Sequence, residues 1–240
     1  MSADYVIRLE QGRAAHPSPQ VLDALARTLR LSADERAHLY RVAGRREPGP
    51  GRMRRHLTPG LQRILDRLAD VPVLVLDAAG TIVAWNGHAA ALVGDPGDRR
   101  GRERNVPWMH FTGAASRVVR DAADDAAFEA EMVGDLHAAL GRHPEDPELR
   151  ELIADLRAAS PRFRELWEQR PAAVRSAGRK TFAHPAVGRV TVDCDVLFVH
   201  GTDLRVMVYT AEPGSADADA LALIGVVGLQ DLGAAVSPER

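Results

Sequence analysis

Val71-Pro-Val-Leu-Val-Leu-Asp77, followed by Ala78-Ala-Gly80 and then Thr81-Ile-Val-Ala-Trp85, is the stretch on which the fold turns. The apolar run reads as a buried strand, the small residues as a tight turn, and 81–85 as the returning strand. Asp77 and Gly80 suit a hairpin turn, and Ile82 is an inward residue on the return. Asn86 stands where it can cap the short alanine-rich helix that follows as far as Val93.

Outward from this hairpin the pattern alternates between helix and strand. Residues 114–170 read as helical. Asp146-Pro147 opens a helix bearing Leu149, Leu152, Ile153 and Leu156, and Ser160-Pro161 opens another bearing Phe163, Leu166 and Trp167. Strands are expected over 180–184, 189–199 and 204–211, with a hairpin turn in Phe198-Val-His-Gly-Thr-Asp-Leu204. The last 25 residues are weakly patterned, although 221–229 is apolar enough to dock. Upstream, Thr58-Pro59 caps a helix with Leu61, Ile64, Leu65 and Leu68 on one face. Before it, the Pro/Gly/Arg-rich stretch 44–57 reads as a solvated basic linker that can touch phosphate. Residues 2–13 read as a short helix stopped by Gly12. Ser18-Pro19 opens a helix with Val21, Leu22, Leu25, Ala26 and Leu29 on its apolar face. Ser32-Ala-Asp-Glu35 is a capping box, and the helix it opens carries Leu39, Tyr40 and Val42.

Composition narrows the function classes. The 240-residue chain is 45% hydrophobic and 27% charged, ordinary for a globular protein with a real core. No apolar run approaches the length of a membrane span, and the first residues carry no basic-then-apolar leader, so the expected location is the cytoplasm. Charge is asymmetric. Residues 1–57 hold 11 Arg against 6 acidic groups, and residues 58–240 hold 20 Lys plus Arg against 27 acidic groups, leaving −2 in all. A basic end on an acidic body suits a segment facing phosphate, and it equally suits a solvated Arg-rich surface. The one cysteine, Cys194, reads as a buried, inert thiol. Nine histidines show no metal-ligand spacing. No phosphate loop, nucleophile elbow or nucleophile–base–orienter set is present, which disfavours an enzyme.

Two resemblances carry the functional reading. Ser2-x-x-Tyr5-x-x-Arg8-Leu-Glu-Gln-Gly-Arg13, then Pro17-Ser-Pro, a leucine-bearing helix and Leu31-Ser-x-x-Glu-Arg36, resembles the recognition helix and following helices of XRE-type helix-turn-helix domains. In that family a scaffold helix and the first helix of the reading pair come before the recognition helix. Neither stands ahead of Ser2 here, so the start is expected to lie downstream of the true one. The second series is Asp77-x-x-Gly80-x-Ile82, Arg104-Asn-Val-Pro-Trp-Met-His-Phe-Thr112, Asp146-Pro147, Ser160-Pro-Arg-Phe-Arg-Glu-Leu-Trp167, Gly178-Arg-Lys-Thr-Phe-Ala-His-Pro-Ala-Val-Gly188 and Val208-Tyr-Thr-Ala-Glu-Pro-Gly-Ser215. In that order it resembles the MmyB-type, PAS-like ligand-binding domain that follows an XRE helix-turn-helix. One departure lies in the central helix, where the family usually shows an Asp-Trp pair and Ala127-Phe128 stands nearby.

The expected architecture is therefore α+β. A small all-helical segment, a partial helix-turn-helix, spans 1–43, a basic linker 44–57, a PAS-like antiparallel-sheet domain with flanking helices 58–215, and a tail 216–240. The resemblance implies a transcriptional regulator, acting as a homodimer on double-stranded DNA, that senses a small apolar ligand such as a fatty acyl chain. It implies no catalytic cofactor and no metal. Ser2, Ala3, Asp4 and Tyr5 stand where a recognition helix meets base edges, with Arg8 one turn on and Arg13 facing the backbone. Trp85, Trp108, His110, Phe111, Phe198 and Tyr209 are the candidate ligand contacts, although each aromatic taken alone also fits ordinary core packing. His184 is read as a strand-end histidine satisfied by backbone, with a ligand handle as the other reading. A competing class is a stand-alone ligand-binding or protein-interaction module that no longer binds DNA.

Overall fold

A computed structural model describes residues 17–31, 33–45, 53–171 and 178–234. The chain divides into two compact units, Met1–Gly51 and Arg52–Arg240. In the first, α1 (Pro19–Thr28) and α2 (Ala33–Val42) bury Leu22, Ala26 and Tyr40. The Tyr40 hydroxyl donates to Asp23 Oδ1 at 2.7 Å, and Arg36 donates to the same oxygen at 2.9 Å. Pro19 supplies the first helical residue of α1, but Ser18 makes no side-chain cap. Leu29 and Val42 were expected on apolar faces and are exposed, because both fall at helix ends where the stripe has run past its partner. The expected helix 2–13 and the cap at Ser32 lie outside the described residues.

The second unit is built on a curled sheet of six strands: β1 (Val73–Asp77), β2 (Ile82–Trp85), β3 (Val118–Val119), β4 (Gly178–His184), β5 (Gly188–Phe198) and β6 (Leu204–Thr210). Their order is β2-β1-β6-β5-β4-β3 with every pairing antiparallel. The arrangement with its helices is α+β, as the sequence predicts. The interior strand β1 is buried along its whole length, so its two faces serve two cores. Val73 and Val75 pack with Val206 of β6 against Leu61 and Leu65 of α3 (Pro59–Arg67). Leu74 and Leu76 face the other way, toward α4 (Gly87–Val93) and the C-terminal helix. Ile64, expected on the packing face of α3, is exposed; Leu61 and Leu65, one turn apart, are enough to cover Val73 and Val75.

Asn86 fixes the exit from the hairpin. Its side-chain amide donates to the carbonyls of Leu68 and Val71 at 2.6 and 2.7 Å. Its oxygen accepts from Val73 N and, as the expected helix cap, from Ala89 N at 2.9 Å. The short helix α5 (Val106–Phe111) follows two 3-10 turns, Pro96–Asp98 and Gly101–Arg104, and is capped by buried Asn105. Three longer helices then pack together: α6 (Ala122–Arg142), α7 (Pro147–Ala159) and α8 (Pro161–Gln169). Their core includes Val133, Leu136, Leu152, Leu156 and Phe163. The cap positions read from the sequence hold: Thr58, Asp146 and Ser160 each accept from the backbone amide three residues on.

The expected tail is a helix, α9 (Ala216–Ala234). Its buried Leu221 and Ile224 join the core behind Leu74 and Leu76, and the His88 ring on α4 donates from Nε2 to the Leu221 carbonyl at 2.7 Å. Between β1 and β2, Gly80 takes φ +81°, and a Cβ there would sit 2.7 Å from Pro107 Cδ. Gly80→Ala is therefore expected to lower stability by about 2–3 kcal/mol, from left-handed strain and displacement of α5 together. Denaturant unfolding of the full chain measures this; an unchanged midpoint would mean that the turn tolerates a side chain.

Candidate functional site

The hairpin turn and the helical layer are tied by one cation. Asp77 Oδ1 accepts from the backbone amides of Ala79 and Thr81 at 2.9 and 2.8 Å, which shapes the turn. Its other oxygen accepts from Arg55 Nε at 2.9 Å. The two terminal nitrogens of Arg55 reach both oxygens of Asp146 at 3.1 Å, a bidentate pair. Both carboxylates are buried. Asp146 also caps α7 and accepts from Met53 N at 2.8 Å. Next along the chain, Arg54 N donates to Asp203, and the Asp203 carboxylate lies 2.7 Å from His143 Nε2. Residues 53–55, expected as solvated linker, are thus pinned by their hydrogen bonds, and Met53 is buried. A linker reading rests on composition, and composition cannot show that three carboxylates from distant segments meet these residues. Burial pushes the Asp77 carboxyl above its ordinary range despite Arg55 and the turn amides. Burial pushes Asp146 up too, but Arg55 and the amides of Met53 and Leu149 outweigh it and hold the group below that range.

Behind the hairpin lies a cavity of about 840 Å³. Leu74, Leu76 and Ile82 of the hairpin form one wall, and Met132 and Leu136 of α6 another, so most of its surface is apolar. Ala79 and Gly80, held by Asp77, also line it. Charges of both signs reach it: Arg117, Arg120, Lys180 and Arg205, the last paired with Asp135, and the acids Asp124, Glu131 and Asp195. An apolar enclosure with a few placed polar groups is the form that small-molecule sites take.

The structure brings some of the expected ligand contacts together and not others. His110, Phe198 and Tyr209 line the cavity. His110 Nε2 lies 3.4 Å from Glu129 Oε1, with its ring edge-on to Phe128. Tyr209 is buried, and burial pushes its hydroxyl pKa up. Trp85, Trp108 and Phe111 lie away from the lining. Trp85 sits on β2 beneath the Arg104 guanidinium, 5.3 Å from the ring centre. Trp108 and Phe111 fall three residues apart on α5, on the side that packs into the helical core, where Phe111 meets Phe163 edge-on. Met109 and His110, between them, turn to the cavity. Ala127 and Phe128 both line it as well. His184 is satisfied by backbone, its Nε2 lying 3.1 Å from the Ala91 carbonyl oxygen. Cys194 is buried, as expected, and is among the residues that line the cavity. Ser2, Ala3, Asp4, Tyr5, Arg8 and Arg13 lie outside the described residues.

Arg120 and Lys180 were not foreseen as cavity residues. A signal for Lys180 exists in the strand alternation: it shares a face of β4 with Phe182 and His184, both buried. Arg120 lies just beyond a two-residue strand and offers no such signal. Among the described residues no group of His, Cys, Asp and Glu is arranged to hold a metal ion, and no helix is long and apolar enough to cross a membrane.

Two family models match the chain. The model of the MmyB-like transcription regulator ligand binding domain matches residues 57–224, and a helix-turn-helix domain model matches residues 1–39. The chain belongs to the family of regulators with an MmyB-like ligand-binding domain, and the two matches together define a ligand-sensing transcription regulator. Both matched domains are regulatory rather than enzymatic. No curated protein matches the chain.

Removing the central cation should be costly. Arg55→Met strands two buried carboxylates and is expected to lower stability by roughly 3 kcal/mol, read from chemical denaturation at neutral pH. The two acids respond to pH with opposite signs. The lowered Asp146 contributes stability above the ordinary carboxylate range and loses it as pH falls through its depressed value; the cost of ionising the raised Asp77 is relieved on the same descent. Asp146→Asn should therefore flatten the acid-side loss of stability. An acid limb as steep as that of the wild type would place the responsible group elsewhere.

Proposed function

We propose that the cavity behind the Asp77–Thr81 turn holds a small ligand with an apolar body, such as a fatty acyl chain, and that its occupancy alters how a homodimer engages DNA in the cytoplasm. The observation that carries this reading is the cavity itself, about 840 Å³ and mostly apolar, lying within the span matched by the ligand-binding-domain model. His110, Phe198 and Tyr209 are the proposed contacts among the residues expected from sequence. Trp85, Trp108 and Phe111 act at one remove, by packing. For DNA, the proposed reading elements are Ser2, Ala3, Asp4, Tyr5 and Arg8, with Arg13 on the phosphate backbone, and the helical segment 1–43 and linker 44–57 form the DNA-proximal part. The basic excess of residues 1–57 supports that assignment.

A ligand shifts such an equilibrium only by its differential affinity for the two states. The test is fluorescence anisotropy of duplex DNA from the upstream region of its own gene, titrated with the full chain at low and moderate salt, with and without dodecanoate. Expected are binding that weakens steeply with salt and a ligand-dependent change in Kd of about 5- to 150-fold. Salt-insensitive or absent DNA binding would instead favour a stand-alone ligand-binding module.

A further inference from the structure

One wall of the cavity is held far less firmly than the rest. Residues 113–131 run from the end of α5 through β3 into the first half of α6, and Ala114, Ser116, Val118, Asp124 and Phe128 are among those that line the cavity. Among these described residues none is buried. Burial along α6 begins only at Met132 and Val133 and continues through Leu136 and Ala139. Across the cavity, β1 is buried between two cores, and the hairpin tip is braced by Asp77 and Asn105. Leu197 and Phe198 are also exposed and line the cavity, but β5 is paired there with β6, Leu197 with Val206 and Phe198 with Arg205. That end cannot move without opening the sheet.

Two glycines bound the loosely held stretch. Gly113 takes φ +73° at the end of α5, where Ala114 N donates back to the Met109 carbonyl at 2.8 Å. Gly134 stands inside α6, just past the first buried pair. A glycine within a helix frees the backbone and weakens the helix there. One residue further on, Asp135 pairs with Arg205 of β6 and pins the buried half of α6 to the sheet. The seam of β3 with β4 is two residues long, Val118 and Val119, and stops where Arg120 comes opposite Lys180. The remaining ties are polar and lie at the rim. Arg117 donates to the carbonyls of Ala91 and Leu92 at the end of α4, at 2.6 and 3.2 Å. Glu129 accepts from Arg162 Nε at 2.8 Å and lies 3.4 Å from His110 Nε2. Part-exposed ties of this kind are individually weak, and a segment with few buried apolar contacts opens locally at far less cost than global unfolding.

We propose that residues 113–131 are the gate through which the cavity exchanges its contents with solvent, a flap that swings between Gly113 and Gly134, with Glu129 as its latch, while the sheet, the hairpin and the buried half of α6 stay folded. This rests on the reading of the cavity as the ligand site, and it adds the route by which that site fills and empties.

The test is stopped-flow fluorescence of the neutral dye Nile red binding to the full chain, with dodecanoate below its micelle concentration as competitor. A gate changes association and dissociation by the same factor and leaves Kd alone, whereas a contact residue acts mainly on dissociation. Glu129→Ala removes both latch contacts and should raise both rates by about two- to fivefold, the worth of a part-exposed ion pair. Gly134→Ala stiffens the helix and should lower both rates by a similar factor; should that variant fail to fold, Glu129→Ala carries the test alone. Rates that match the wild type, or a change confined to dissociation, overturn the gate and leave the cavity reading standing. A dye that does not bind, or that dodecanoate does not displace, overturns the cavity reading and the gate with it.

Discussion

The Arg55 guanidinium, held between the buried carboxylates of Asp77 and Asp146, is the interaction on which the ligand-binding unit depends. Each acid already does local work. Asp77 folds the turn between the first two strands, and Asp146 caps a helix of the layer beside the sheet. Neither could remain ionised and buried on those amides alone without large cost. One planar cation, bidentate to Asp146 and bonded through Nε to Asp77, satisfies both, and in doing so fixes the hairpin against the helices. A lysine could not reproduce this, since a single ammonium cannot make the bidentate contact to Asp146 and the separate contact to Asp77 in fixed directions.

The same clasp explains where the cavity can form. β1 is covered on both faces, with Val73 and Val75 against α3 and Leu74 and Leu76 toward the cavity. Had the sheet simply closed onto α6, the second face would be filled like the first. The turn residues Ala79 and Gly80 are held out by Asp77 and by Asn105, whose amide donates to the Ala79 carbonyl at 2.9 Å. Gly80 in turn accepts from Val106 N through its own carbonyl. The hairpin tip is therefore braced from two sides, and the space behind it is enclosed by rigid elements, the condition under which a site discriminates between ligands.

Much of this was legible in the sequence because the signals are local. The hairpin, the caps at Asn86, Asp146 and Ser160, and the strands of the C-terminal half each follow from a few adjacent residues whose hydrogen bonds close within three or four positions. What escaped was long-range. Arg55 looked like a linker arginine because its partners are 22 and 91 residues away. Trp108 and Phe111 looked like ligand contacts because they are large and aromatic, yet a six-residue helix has too few turns for its periodicity to say which side meets the helical core. The C-terminal helix was read as a tail, since its apolar residues run almost all round it and no stripe marks the face that Leu221 and Ile224 bury. Lys180 lay within a recognisable strand, but a lone cation in an inward register is easily taken for surface until the facing residue, Arg120, is known.

Two sets of charges lie in this unit, one at the Asp77 turn and one at the cavity. Around Arg55 two buried carboxylates meet one cation, and a third acid, Glu148, lies 3.4 Å away at the surface, so the group gains nothing from a further anion. Around Arg120 and Lys180 acids are also at hand: Asp125 lies 3.9 Å from Arg120, and Asp124, Glu131, Asp135 and Asp195 line the same cavity. A compensated cluster such as that around Arg55 contributes to stability whether or not the cavity is occupied. Both lie along the same hairpin and sheet, the first at the Asp77 turn and the second at the far edge beside β4.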